Sequence, residues 1–151
     1  MRDILQLLIK LNLTIATCES ITGGAVSESL IKLPKASQVF LGGIVAYSDR
    51  AKINLAGVQS STLYYHGAVS IETAIEMAEN TKKILNSDIV MSFTGVAGPD
   101  PIEDKPIGLV YIGFLYLGKC TVYEYQLNGE RKQIIRQCVN LAKEILKERL
   151  K

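Results

Sequence analysis

Residues 17–24 read Thr17-Cys18-Glu19-Ser20-Ile21-Thr22-Gly23-Gly24. It follows a short β-branched run at residues 13–16 and precedes a helix-like segment at residues 25–33. Open α/β sheets bind ligands at the carboxyl ends of their strands, and a strand that turns through glycines into a helix forms such an end. The glycines permit a sharp turn and a close approach of substrate. The pattern predicts that the Ser20 hydroxyl stands at this edge.

The composition is that of an ordinary globular domain. The chain has 151 residues, of which 48% are hydrophobic and 21% are charged, which fits one domain with one sizeable core. A net charge of +2 is too balanced to indicate a nucleic-acid partner, and no apolar run approaches the roughly 20 residues of a membrane span. The three cysteines form no CxxC pair and the N-terminus has no signal-peptide pattern. We therefore expect a cytoplasmic protein without disulfides or a cysteine zinc site.

Helical and strand patterns alternate along the chain. Helices are predicted at residues 3–11, 25–33 and 130–150, and Ser48 is expected to cap a short helix that runs through Lys52 to Leu55. Another helix is capped by Ser70, with Ala74, Met77, Ala78 and Ile84 as its buried stripe. Strands are predicted at residues 13–17, 39–47, 89–94, 109–117 and 121–127, the last two joined by a hairpin turn at Gly118-Lys119. This order predicts one α/β domain over residues 1–151. It has three layers, α/β/α, and a mixed, mostly parallel sheet of about five strands with one antiparallel member.

A nucleophilic serine needs a base, and the sequence alone leaves the identity of that base open. A Ser-His-Asp triad would have to use His66, the one histidine, which lies in a polar stretch where a surface or helix-capping role is expected. Lys52 is the other candidate, because burial or a nearby cation can lower a lysine pKa. The simpler interpretations are that Lys52 is a solvated charge and that Ser20 and Thr22 cap the following helix.

A second loop of small residues, at positions 94–100, follows the third apolar strand. Its backbone amides could cradle a ligand, although it matches neither a Walker A sequence nor GxGxxG, and a structural turn explains it equally well. Asp100, Glu103 and Asp104 raise a metal hypothesis, but their position between prolines reads more simply as an exposed loop.

Taken together, these motifs resemble those of the CinA C-terminal-domain family, the nicotinamide-nucleotide amidases. The family motif Ala-Glu-Ser-Cys-Thr-Gly-Gly is similar to Cys18-Glu19-Ser20-Ile21-Thr22-Gly23-Gly24. The resemblance continues in order through further blocks, which are Gly42-Gly43-Ile44-Val45-Ala46-Tyr47-Ser48, Ala51-Lys52, Leu55-Ala56-Gly57-Val58, His66-Gly67-Ala68-Val69-Ser70, Thr94-Gly95-Val96-Ala97-Gly98-Pro99 and Lys105-Pro106-Ile107-Gly108. Several blocks in register are far more specific than any one of them.

The resemblance implies hydrolysis of the carboxamide of nicotinamide mononucleotide to nicotinic acid mononucleotide and ammonia. It places the nucleophile at Ser20 and the lysine base at Lys52, with Tyr47 orienting the lysine or relaying a proton. Amides of the Thr22-Gly23-Gly24 turn are expected to hold the oxyanion, and no metal or cofactor is required. The expected substrate-binding residues are Glu19, Thr22, Gly23, Gly24, Gly43, Ser48, Thr94, Gly95, Ala97, Gly98 and Arg131.

The chain departs from the family pattern mainly in the loop Asp100-Pro101-Ile102-Glu103-Asp104, where relatives tend to be glycine-rich. This difference bears on substrate fit more than on Ser20 and Lys52. Two other interpretations therefore stay open, a non-catalytic nucleotide-binding module and an amidase for a different substrate. Relatives often form dimers, so a homodimer is the expected assembly.

Overall fold

The two most completely buried strands lie inside a five-stranded sheet, in a computed structural model that describes residues 1–151. The strand order is β2-β1-β3-β4-β5, where the strands are β1 (Ile15–Glu19), β2 (Phe40–Val45), β3 (Ile89–Gly95), β4 (Leu109–Tyr116) and β5 (Lys119–Gln126). β1 pairs in parallel with both β2 and β3, whereas β4 runs antiparallel to β3 and to β5. β1 is buried along its whole length and β3 at every residue but its last, as expected for strands covered on both faces.

Helices cover both faces of this sheet. They are α1 (Arg2–Leu11), α2 (Ala25–Ile31), α3 (Asp49–Asn54), α4 (Ser60–His66), α5 (Ile71–Leu85) and α6 (Arg131–Arg149). α1, α2 and α6 enclose the main core with one face of the sheet, through side chains such as Leu8, Leu30, Phe93 and Ile134. α5 covers the opposite face, where Ala78 and Met77 pack into two smaller clusters. The predicted α/β/α architecture with one antiparallel strand is confirmed. No helix combines the length and hydropathy needed to cross a bilayer.

Several predicted boundaries differ from the structure. β1 extends two residues further than predicted, to Glu19, which brings Ser20 directly to the strand end. The short helix after Ser48 is confirmed, with Ser48 as its cap, and it spans Asp49–Asn54, one residue short of the predicted end. A further helix, Ser60–His66, was not predicted. The hairpin turn is Leu117-Gly118, one residue earlier than predicted. Ile84 is exposed, so it was wrongly included in the buried stripe of α5.

Candidate active site

Three parallel strands end at one edge of the sheet, and a cleft of about 420 Å³ opens there. Ser20 follows β1, Tyr47 follows β2, and Gly95 ends β3; all three residues line the cleft. This volume lies within the range of roughly 300–1,000 Å³ typical of small-molecule sites. The site predicted from the strand-to-helix turn therefore coincides with a real concavity.

The Lys52 ammonium group reaches Ser20 across this cleft. Lys52 Nζ lies 2.9 Å from Ser20 Oγ, and it also donates to the carbonyl oxygens of Ala46 at 3.1 Å and Tyr47 at 3.3 Å. Lys52 sits on α3, whose first turn is capped by Ser48 Oγ accepting from the amide of Ala51. The Ser48 cap fixes the start of α3, and the carbonyls of Ala46 and Tyr47 hold Lys52 Nζ beside Ser20 Oγ.

Burial makes Lys52 a candidate base. Its side chain is only 2% exposed, and desolvation lowers its pKa from the ordinary lysine value, with a partial opposing effect from the Asp49 carboxylate. A lysine with a lowered pKa is neutral in a larger fraction of molecules, and only the neutral amine can accept a proton. The simpler interpretation of Lys52 as a solvated surface charge was wrong.

His66 lies at the exposed end of α4, where its Nδ1 is 3.4 Å from Glu72 Oε1. It does not line the cleft. The structure therefore offers Ser20 a lysine partner and no histidine, which excludes the triad that the sequence left open.

Glu19 has a structural position that the sequence did not reveal. It is fully buried, and its carboxylate accepts from the amides of Gly24, Val26 and Ser27 and from the Ser27 hydroxyl, at 2.6–3.2 Å. These contacts satisfy the free amides at the start of α2. Glu19 does not line the cleft, so the predicted substrate contact is replaced by a helix-capping role. The same contacts correct the expectation that Ser20 and Thr22 cap α2.

The turn after Ser20 has a different set of free amides from the one expected. The amide of Gly23 donates to the Ser20 carbonyl at 3.1 Å, and that of Gly24 donates to Glu19 at 3.2 Å. The amides of Ile21 and Thr22 donate to no acceptor in the protein. Of the three amides expected to be free, only that of Thr22 is, because those of Gly23 and Gly24 are already bonded. The amide of Ile21, which was not expected, is free as well.

Tyr47 and Arg131 meet at the mouth of the cleft. One guanidinium nitrogen of Arg131 donates to the Tyr47 hydroxyl at 2.8 Å, and another donates to the Gly98 carbonyl at 2.6 Å. Tyr47 is 62% exposed. Its phenol contacts Arg131 rather than Lys52, so the part of Tyr47 that touches the lysine is its backbone carbonyl. Arg131 begins α6 and is a fixed cation at this opening.

The predicted residues divide into two groups. Eight of them line the cleft, namely Ser20, Tyr47, Lys52, Thr94, Gly95, Ala97, Gly98 and Arg131. The remaining six do not line it, namely Glu19, Thr22, Gly23, Gly24, Gly43 and Ser48. A Cβ at Gly43 would collide with the hydroxyls of Thr17 and Ser27, so this glycine allows close packing between β2, β1 and α2. Ser48 contributes indirectly, as the cap of α3.

Six further lining residues were not predicted as site residues, namely Ile21, Asp49, Ala68, Val69, Ile102 and Glu103. Ala68 and Val69 belong to the block His66-Gly67-Ala68-Val69-Ser70, which is part of the family resemblance and could have indicated that they lie at the site. Ile102 and Glu103 belong to the 100–104 loop, whose departure from the family pattern was expected to bear on substrate fit. The Thr94 hydroxyl donates to the Ala68 carbonyl at 2.6 Å, and this bond holds the Ala68 wall against the end of β3.

Comparison with known proteins identifies the family. The model of the CinA C-terminal domain matches residues 1–150. A CinA-like protein from Kosmotoga olearia is 43% identical over 148 residues, which are 97% of this chain and 36% of that protein, so the chain spans about a third of the length of this relative. A crystal structure of a CinA superfamily protein from Klebsiella pneumoniae superposes with a TM-score of 0.95 at 30% identity, covering 97% of this chain and 92% of that one. The competence/damage inducible protein CihA from Agrobacterium tumefaciens gives a TM-score of 0.93 at 32% identity, covering 97% and 91%. The chain therefore belongs to the CinA C-terminal-domain family.

Proposed function

We propose that this chain hydrolyses the carboxamide of nicotinamide mononucleotide to nicotinic acid mononucleotide and ammonia. The observation that carries the proposal is the buried contact of 2.9 Å between Lys52 Nζ and Ser20 Oγ. A nucleophile and a base within hydrogen-bond reach, with the base itself held in place, form the basic arrangement for covalent acyl transfer. Family membership supports the fold of this site, and the choice of substrate comes from the family resemblance.

In the proposed first step, neutral Lys52 takes the Ser20 proton as the serine oxygen attacks the carboxamide carbon. The carbonyl oxygen becomes an oxyanion, and the free amide of Ile21, which lines the cleft, is the donor assigned to it. One such donor contributes about 3–4 kcal/mol to the transition state in well-studied enzymes. The resulting lysinium then gives its proton to the departing nitrogen, and ammonia leaves an ester on Ser20.

In the proposed second step, water attacks the ester and Lys52 again accepts a proton. The acid is released, and Ser20 recovers its proton from the lysinium. The carbonyls of Ala46 and Tyr47 can hold the lysine in both protonation states, because the ammonium and the amine each have a proton to donate to them. No net change of the protein results from the cycle.

Arg131 is the residue assigned to the substrate phosphate. It is the arginine that lines the cleft, and a guanidinium presents several donors in a geometry that suits phosphate oxygens. Arg136, the next arginine on α6, does not line the cleft. With the phosphate at the mouth, beside Tyr47, the ring and its carboxamide extend inward toward Ser20.

The test of this function is ammonia release from nicotinamide mononucleotide, with free nicotinamide and the dinucleotide as control substrates. The proposal expects release from the mononucleotide alone, because the phosphate contact at Arg131 is absent in nicotinamide and differently placed in the dinucleotide. Binding of the mononucleotide without ammonia release would favour a non-catalytic nucleotide-binding module. Release from another amide alone would indicate an amidase with a different substrate.

The pH dependence of catalysis should report the state of Lys52. Because the neutral amine is the active form, kcat/KM is expected to rise with pH through the pKa of Lys52, below the ~10.4 of an ordinary lysine. The Asp49 carboxylate raises this pKa. Asp49→Asn should therefore lower the pKa further and move the rising limb to lower pH. The measurement is the kcat/KM profile of ammonia release.

Asp3→Asn is the matched control, because it removes the same charge from α1, away from the cleft. The kcat/KM profile of Asp3→Asn should coincide with that of the unmodified chain. If the rising part of the kcat/KM profile does not move in Asp49→Asn, or moves to higher pH, its assignment to the pKa of Lys52 is contradicted.

A further inference from the structure

Glu103 lines the cleft on a turn that is built in an unusual way. Residues 102–105 form a tight two-residue turn, closed by the Lys105 amide donating to the Ile102 carbonyl at 2.8 Å. Its two central residues, Glu103 and Asp104, have φ values of 55° and 59°. This left-handed conformation is uncommon for a residue other than glycine, and asparagine and aspartate tolerate it better than glutamate. The placement of a glutamate there is not explained by the turn alone.

The contacts of the Glu103 side chain account for its orientation. Its carboxylate accepts from the amide of Ala68 at 2.8 Å and from that of Val69 at 3.4 Å. A Cβ at residue 67 would collide with Glu103 Oε2, so Gly67 leaves the space that the carboxylate occupies. These contacts fix the carboxylate against the Ala68-Val69 wall of the cleft.

Lys105 balances this carboxylate only in part. Its Nζ lies 3.4 Å from Glu103 Oε2, but it also donates to the carbonyl oxygens of His66 and Val69. Lys105 does not line the cleft, whereas Glu103 does. The charge that this turn presents to a ligand is therefore negative. The other acidic lining residue, Asp49, lies one helical turn before Lys52, and it raises the pKa of that lysine more than Glu103 does.

We propose that Glu103 is a specificity-determining residue that favours ligands whose amide-bearing ring is cationic. The inference rests on the proposed function and deepens it. Nicotinamide mononucleotide is a phosphate monoester whose pyridinium ring carries a positive charge. With the phosphate on Arg131, the ring enters the cleft, and the Glu103 carboxylate, held on the Ala68-Val69 wall, supplies the complementary negative charge. A neutral ring of the same shape would gain nothing from this carboxylate.

The experiment compares a cationic and a neutral ligand of the same shape. The ligands are nicotinamide mononucleotide and benzamide riboside 5′-monophosphate, whose ring is uncharged. Dissociation constants are measured by calorimetry in the Ser20→Ala chain, with and without Glu103→Gln, and kcat/KM for the mononucleotide is measured in chains that keep Ser20. Asp104→Asn is the matched control, because it removes the neighbouring charge from the same turn at a residue outside the cleft.

The proposal predicts that Glu103→Gln weakens binding of the mononucleotide roughly fivefold to tenfold, the order expected for a partly exposed charge pair. Binding of the neutral ligand should change less than about twofold on the same basis, and Asp104→Asn should change neither. Equal weakening of both ligands would assign Glu103 a purely structural role in holding the turn, and unchanged binding of both would exclude it as a determinant; either result overturns the proposal.

Because binding is measured without turnover, the two proposals can fail separately. A chain that binds the mononucleotide but releases no ammonia overturns the amidase function, while the comparison of the two ligands still decides the role of Glu103. If the chain hydrolyses the mononucleotide but Glu103→Gln weakens binding of the two ligands equally, only the proposed charge preference is overturned. A chain that binds neither ligand overturns both.

Discussion

Ser20→Ala is expected to lower the kcat of ammonia release from nicotinamide mononucleotide by at least about 10⁴-fold, because the chain then has no nucleophile to form the acyl intermediate. The substitution removes one oxygen at a nearly buried position and leaves the Arg131 and Glu103 walls of the cleft intact. The dissociation constant of the mononucleotide should therefore remain within a few-fold of the unmodified chain. Ammonia assays and calorimetry on the same preparation measure both quantities.

Ser29→Ala provides the control for this substitution. Ser29 lies on α2, where its hydroxyl donates to the Val26 carbonyl at 2.6 Å, and it does not line the cleft. Its removal should leave kcat unchanged. Turnover that survives in Ser20→Ala, or that falls equally in Ser29→Ala, would remove Ser20 from the role of nucleophile.

Lys52→Met is expected to lower kcat by about 10³-fold, within the range of 10²–10⁴ that a positioned general base contributes. Methionine has a length close to that of the lysine stem and suits a buried position, so the fold should persist. Lys52→Arg should be equally inactive, because a guanidinium stays protonated and cannot accept the serine proton. The comparison of the two variants separates loss of the base from loss of the positive charge.

A loss of activity in Lys52→Met has meaning only if the chain remains folded, so circular dichroism and thermal unfolding accompany the assay. Lys32→Met is the matched control, because Lys32 is a surface residue paired with Glu28 at 2.8 Å. It should retain full activity. Restoration of activity by arginine at position 52 would contradict the role of a base and would favour a purely electrostatic one.

The fold was largely predictable because its signals are local. Alternating periodicities identified every strand and most of the helices, and the run of residues 109–127 identified the antiparallel hairpin. The boundaries were less predictable, because they depend on pairing between distant segments. β1 extends to Glu19 because Glu19 pairs with Val45 on one side and Phe93 on the other. No local pattern near residue 17 contains that information.

The candidate site was predictable in part. Ser20 was found from the strand-to-helix turn, but its contact with Lys52 depends on the pairing of β1 with β2, which brings α3 to the end of β1. Glu19 was expected to bind substrate because it belongs to the motif that carries the family resemblance, whereas the folded chain buries its carboxylate on the amides of α2. Glu103 was considered only as a metal ligand, because its place in the cleft depends on the bond from the Ala68 amide to its carboxylate, which joins segments distant in the sequence.

The most direct test of the Ser20–Lys52 mechanism is to look for the acyl group on Ser20 itself. The chain is mixed in excess with nicotinamide mononucleotide, quenched in acid during a single turnover, digested and mapped by mass spectrometry. The mechanism predicts a substrate-derived acyl ester on the peptide that contains Ser20, formed together with ammonia and absent from Ser20→Ala. An acyl group on another residue, or complete hydrolysis by Ser20→Ala, would contradict it.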